Sequence, residues 1–329
     1  MVLFDRYGGA AGALCNALSG DDFAGRLGER LTAHFGRATL PLCSTDAALH
    51  TALRLCGVAS GDYVLVPSYT YYSYIRSALN IGAVPVFIDS DPINRCTSVS
   101  ALETALVWCR VQEKMPRVAI IDNAFGAVAD YDTLLPLLAS FGVPAIEIAC
   151  DALGGSYKGT PCGANCELGV VGLNKRIPGS GAALVCGDDL GRAEEFSRLR
   201  YSDGENYDYG MSNYIAALNL ELFDSLEATV SRAQKNYAAL AESFECVLPP
   251  TAGDAAAYAP IKTDVEEQDG FTIKKIQPTH KLPLFSGAHF FEHEQGFCAA
   301  DKLAEYALVG MDFSFFKRLK LSRLLKREG

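Results

Sequence analysis

Six short apolar runs set the pattern of the chain: Tyr63–Val66, Val84–Ile88, Val118–Ile121, Pro144–Ile148, Gly169–Leu173 and Ala182–Cys186. Helical spacing fills the gaps at Tyr71–Asn80, beyond Ser100 and at Tyr131–Ser140. Strands that are apolar throughout, rather than alternating, are buried on both faces, and a β-α alternation places helices on both sides of a mainly parallel sheet. Upstream, Ala47–Cys56 reads as a helix stopped by Gly57. Ser100-Ala101-Leu102-Glu103 reads as a capping box opening the next helix, and Ser212–Phe244 as one long or broken helix. Asp46 reads equally as the cap of the Ala47 helix.

Composition shifts after Cys246. Leu248–Asp254 is rich in Pro, Gly and Ala, Tyr258–Lys262 and Thr272–Ile276 read as short strands, and a helix is expected near Ala299–Leu308. The expected fold class is therefore α/β. A large doubly wound mixed-sheet domain spans residues 1–245, a reduced small α+β domain 246–311, and a basic amphipathic tail 312–329. In that tail Lys317, Arg318, Lys320, Arg323, Lys326 and Arg327 interleave with Leu319, Leu321, Leu324 and Leu325. It reads as a terminal helix docked on an acidic body, or as a peripheral contact with an anionic membrane.

A formal charge of −10 disfavours any role that coats nucleic acid, because phosphate contacts need clustered Lys and Arg. No apolar leader or spanning run is present, so a cytoplasmic protein with free thiols is expected from its eleven cysteines. Cys162 and Cys166 have no second Cys/His pair at zinc spacing and read as buried thiols. Gly8, Gly9 and Gly12 follow no strand and do not make a dinucleotide loop.

Longer motifs narrow the reading. STDAALHTALRLCGVASGDYVLVPSYTYYSYIRSALNIGAVPVFIDSD (Ser44–Asp91), IEIACDALGGSYKG (Ile146–Gly159), LNK before a Gly-rich turn (Leu173–Gly181), YDYGMSNYIAAL (Tyr207–Leu218) and Pro278-Thr279-His280 occur in order along the chain. Together they resemble the nucleotide-sugar aminotransferases of the DegT type, which are pyridoxal phosphate (PLP) enzymes. That resemblance implies an aspartate-aminotransferase-like fold, usually a homodimer with sites at the interface, and a nucleotide-linked sugar as ligand. It nominates Lys175 as the Schiff-base lysine, Tyr71 as the aromatic stacked on the PLP ring, and Ser44 and Thr45 as phosphate ligands at a helix N-terminus. Lys175 reads equally as a surface lysine beside Arg176, and Tyr71 as a packed aromatic in a Tyr-rich helix.

The resemblance breaks where the cofactor would be touched. Ile148 stands where the family carries the Asp that holds the pyridine nitrogen protonated. Asp151 falls at the Gln or His near the ring hydroxyl, and three residues along a strand it would point to the opposite face. Asp46 replaces a Thr, Gly172 the phosphate-binding Ser, and Asp208 and Gly210 an Asn and an Arg. Two readings follow. One is a PLP enzyme with an altered site, acting in nucleotide-sugar, surface-polysaccharide or natural-product assembly. The other is an inactive homologue that binds no PLP and serves as a binding protein or as partner subunit to an active paralogue.

Overall fold

The computed structural model describes residues 12, 21–177, 179–197, 208–263, 271–285, 296–312 and 315–328. Gly8 and Gly9, Tyr207, and parts of the tail lie outside them. Helix α1 (Phe23–Phe35) shows how the elements arise. Asp22 accepts from Gly25 N at 2.9 Å, and Phe23, Leu27, Leu31 and Phe35 form a buried stripe at helical spacing. Gly36, at φ +67°, then closes the helix by donating to Thr32 O. Each of those side chains contributes about 1.5–3 kcal/mol by leaving water. Strand β1 (Thr39–Leu42) follows, then α2 (Thr45–Leu55), β2 (Tyr63–Pro67), α3 (Tyr72–Asn80), β3 (Val84–Ile88), α4 (Val99–Val111), β4 (Val118–Asp122), α5 (Tyr131–Ser140) and β5 (Ala145–Ile148). The two-residue strands β6 (Ser156–Tyr157) and β7 (Thr160–Pro161) precede β8 (Leu168–Gly172) and β9 (Ala182–Val185).

The large sheet has the order β1-β9-β8-β5-β4-β2-β3. Strand β9 runs antiparallel to both neighbours, and the other strands share one direction. Helices α6 (Leu190–Ser197), α7 (Asn213–Phe223) and α8 (Leu226–Ala241) carry the chain off this sheet. The apolar run from Ser212 is thus two helices, with Ser212 capping the first at Ile215 N. Two starts differ from the sequence reading. Helix α4 is capped by Ser98, whose extended backbone and hydroxyl serve Ala101 N, so Ser100 lies inside the first turn. Helix α2 is capped by Ser44, which accepts from Ala47 N at 3.1 Å, so Asp46 is a first-turn residue and not the cap.

The small sheet, β10 (Tyr258–Ile261), β11 (Ile273–Lys274) and β12 (Ala307–Gly310), has β12 at its centre, with α9 (Cys298–Leu303) before it. Expecting a helix through Leu308 was therefore wrong at its end. The helix stops at Leu303, and Leu308 and Val309 pair with both flanking strands, a burial that outweighs local helical spacing. The final helix α10 (Phe315–Glu328) buries Leu321 and Leu325 in the same small core as Tyr237, Ile261 and Val309. Its apolar side is thus used by the protein itself, while Leu319 stays exposed. Among the described residues no helix is long and apolar enough to cross a membrane.

Candidate active site

In open α/β sheets ligands bind beyond the carboxyl ends of the strands. Here those ends are Pro67 with Ser68-Tyr69-Thr70-Tyr71, Asp122, Ile148 with Ala149-Cys150-Asp151, and Gly172. Asp122 and Ile148 are register partners on neighbouring parallel strands and so share one face of the sheet. Ile148 is wholly buried. Asp122 is buried too, and its Oδ2 accepts from Thr70 Oγ1 at 2.6 Å. Burial pushes the Asp122 carboxyl up to about 8, despite the Thr70 hydrogen bond, and the nearby Asp151 adds to the rise.

Asp151 lies past the end of β5, in a turn, so the alternation of a strand does not govern its direction. The expectation that it points away is corrected: its charge acts on Asp122, Tyr71, Lys274 and Tyr258. It is 3% exposed, and neither carboxylate oxygen meets a donor in hydrogen-bonding geometry.

Tyr71 packs edge-on against Phe125 and Tyr74, at 5.1 and 5.7 Å between centroids. Two amines reach it. Lys175 Nζ lies 4.8 Å from the ring centroid and Lys274 Nζ 5.2 Å, and Lys274 also donates to the Tyr71 hydroxyl at 3.1 Å. Burial first, and then Asp151, raises the Tyr71 phenol above its usual range, while desolvation lowers Lys274. Lys175 is itself exposed, beside a buried Arg176.

At the N-terminus of α2, Ser44 is occupied as the cap and Thr45 Oγ1 lies 4.0 Å from Cys150 Sγ. Asp46 is ion-paired with Arg76 of α3, so a cation does neutralise this added carboxylate. Gly172 faces the Cys150 side chain, and a Cβ there would stand 3.2 Å from Cys150 Cβ. Asp208 is exposed, on the segment that bridges β1 at Leu42 through Gly210. His280 ties the small domain to the end of β2: Nδ1 bonds Ser68 Oγ, Nε2 lies 3.5 Å from Asp301, and the ring stacks on Phe297 at 4.1 Å.

The structure thus gathers Tyr71, Asp151 and Lys175 at one edge, with Ser44 and Thr45 at the helix end beside Cys150. Sequence reasoning missed Asp122, Thr70, Lys274 and Tyr258. Asp122 ends an apolar strand, a position that could have flagged it. Lys274 comes from the small domain and left no local signal.

The model of the DegT/DnrJ/EryC1/StrS aminotransferase family matches residues 19–255. The chain belongs to that family. Members are PLP-dependent aminotransferases, and this chain has the family's α/β fold with its mixed seven-stranded sheet. EpsN of Bacillus subtilis, assigned to the PLP-dependent aminotransferases, is 28% identical over 86% of this chain and 79% of its own length. The L-glutamine:scyllo-inosose aminotransferase of Streptomyces griseus is 36% identical over 50% of this chain, which spans only 38% of that relative. Among solved structures, a family aminotransferase from Brucella abortus superposes with a TM-score of 0.85 at 20% identity, covering 99% of this chain and 96% of its own.

A family member's PLP needs a carboxylate at the ring nitrogen and donors at the phosphate. Ile148, which the resemblance puts at the nitrogen, is apolar, and burial pushes the carboxyl of its register partner Asp122 up to about 8. At the positions that the resemblance puts at the phosphate stand Asp46, ion-paired with Arg76, and Gly172, which packs on the buried Cys150 thiol.

Proposed function

We propose that this chain is a sugar-aminotransferase homologue whose PLP site is eroded, and that it serves nucleotide-sugar, surface-polysaccharide or natural-product assembly by binding ligand or partner rather than by ordinary transamination. The observation that carries this reading is Ile148, buried at the sheet edge with Asp122, whose carboxyl burial pushes up to about 8, as its register partner. Relatives named for scyllo-inosose amination and GDP-perosamine synthesis support a polyol or nucleotide-linked sugar as the ligand class. The assembly is a homodimer or a mixed dimer with an active family member, in keeping with a site built at a symmetric interface.

A competing reading, a slow PLP enzyme, draws on the approach of Lys175 Nζ to Tyr71. One experiment separates the two. The purified protein is titrated with PLP and scanned before and after borohydride, beside Lys175→Ala. The proposal expects no band at about 410–430 nm, where a PLP Schiff base absorbs, even at millimolar PLP. A band fixed by borohydride in the parent and lost in Lys175→Ala would establish the enzyme reading instead.

A further inference from the structure

Six of the chain's 29 Lys and Arg fall between Lys317 and Arg327, a stretch without Asp or Glu in a chain whose formal charge is −10. The whole stretch lies in α10 (Phe315–Glu328). Leu321 and Leu325, 0% and 3% exposed, fix how that helix sits, because both are held in the small core with Tyr237, Ile261 and Val309. Helical geometry then sets the side turned to solvent. At 3.6 residues per turn, Leu319, Lys320, Arg323 and Lys326 fall within about 120° of one another, opposite the buried pair. All four are exposed, and so is Lys317 beside them.

Two features decide what such a face fits. Its cations are strung along the helix: at 1.5 Å per residue, Lys317 and Lys326 stand about 14 Å apart along the axis. They do not converge on one point, so the face suits an extended anionic surface rather than a single phosphate or carboxylate group. The second feature is Leu319, which lies among the cations and is 39% exposed. A lipid headgroup layer has apolar depth beneath its charges to receive such a side chain, whereas a nucleic-acid backbone or an acidic peptide has none. We propose that the exposed face of α10 docks this chain on anionic phospholipid headgroups.

The contact is peripheral. Leu321 and Leu325 stay in the protein core, so the helix lies flat on the surface and Leu319 alone reaches into the layer. Attachment by charge and one leucine is reversible and sensitive to salt. Acidic groups farther than about 8 Å from the surface are largely screened at physiological salt, so the negative charge of the rest of the chain does not prevent it. The contact makes no use of the cofactor site and holds whether or not PLP binds.

The test is co-sedimentation of the full chain with vesicles of phosphatidylcholine alone and of phosphatidylcholine with about 30% phosphatidylserine, at low salt and at about 0.3 M salt. Binding to the anionic vesicles only, and its loss at the higher salt, is expected. Each basic residue at an anionic surface is worth about fivefold in partition, so the double variant Arg323→Gln, Lys326→Gln should bind about 25-fold more weakly. Both side chains are exposed, so its melting curve should match the parent's. Leu319→Gln should lower partition by a smaller factor and leave the salt dependence as it is. Equal binding to the neutral vesicles, binding to neither kind, unchanged partition in the double variant, or tighter binding of poly-L-glutamate or a DNA duplex than of the anionic vesicles would overturn the proposal.

Discussion

Two neighbouring residues of β5 point to opposite faces of the sheet and meet opposite environments. Glu147 is wholly buried and fully served: it accepts from Asn123 Nδ2 and Gly163 N, both at 2.7 Å, from Asn165 N at 2.8 Å and from Asn165 Nδ2 at 3.2 Å. Asn123 in turn accepts from Ala129 N and the Tyr131 hydroxyl, each at 3.0 Å. On the other face stand Ile148, Asp122, whose carboxyl burial pushes up, and Asp151, whose oxygens meet no donor in hydrogen-bonding geometry. The carboxylate that organises the loops is well served by donors. Ile148, at the position that the resemblance gives to a cofactor carboxylate, is apolar, and of the two acids near it Asp122 accepts from Thr70 while the Asp151 oxygens meet no donor in hydrogen-bonding geometry. Stability alone accounts for the first side, since a buried acceptor with several donors cannot be removed cheaply. Nothing about folding requires an acid at residue 148.

That contrast can be broken from either face. The largest effect should come from Glu147→Leu, which strands two buried and two partly buried donors and should cost about 4 kcal/mol or more in urea unfolding. A loss below about 1 kcal/mol would mean the network is incidental. Next comes Asp122→Asn. Its carboxyl is raised from the usual 3.8 to about 8 in the folded protein, so folding takes up a proton. The stability linked to that proton is present below about pH 4 and is lost as pH rises through about 8. Compared across pH 5 to 9, the Asn variant should gain on the parent, by on the order of 3 kcal/mol. A difference that does not change with pH would place the carboxylate in a more open setting. Smallest is Asp151→Asn. Replacing a buried carboxylate whose oxygens meet no donor should raise the stability in urea unfolding by about 1 kcal/mol. A lowered stability would show that the attraction of Lys274 outweighs the burial of Asp151.

Much of the fold was legible because parallel strands buried on both faces must be apolar throughout, as Val118–Asp122 and Ala145–Ile148 are. Strand β12 was not, because Ala307-Leu308-Val309-Gly310 continues the apolar spacing of the helix before it. Only pairing with β10 and β11 decides the matter. At the site, Tyr71, Asp151 and Lys175 could be nominated from motifs, since each follows a strand end. The direction of Asp151 could not, because β5 stops at Ile148 and the chain turns before Asp151. Neither the Asp122–Ile148 pairing nor the approach of Lys274 to Tyr71 is written locally; the partners are far apart in sequence and meet through sheet register and domain packing.

The central claim is the one proposed above, that with Ile148 on β5 the chain does not hold PLP. Its most direct test is intact-mass and peptide-mapping spectrometry of the full chain after incubation with millimolar PLP and borohydride. The account predicts a Lys175 peptide of unchanged mass. A stoichiometric pyridoxyl adduct on Lys175 would contradict it and restore the chain to the working enzymes of its family.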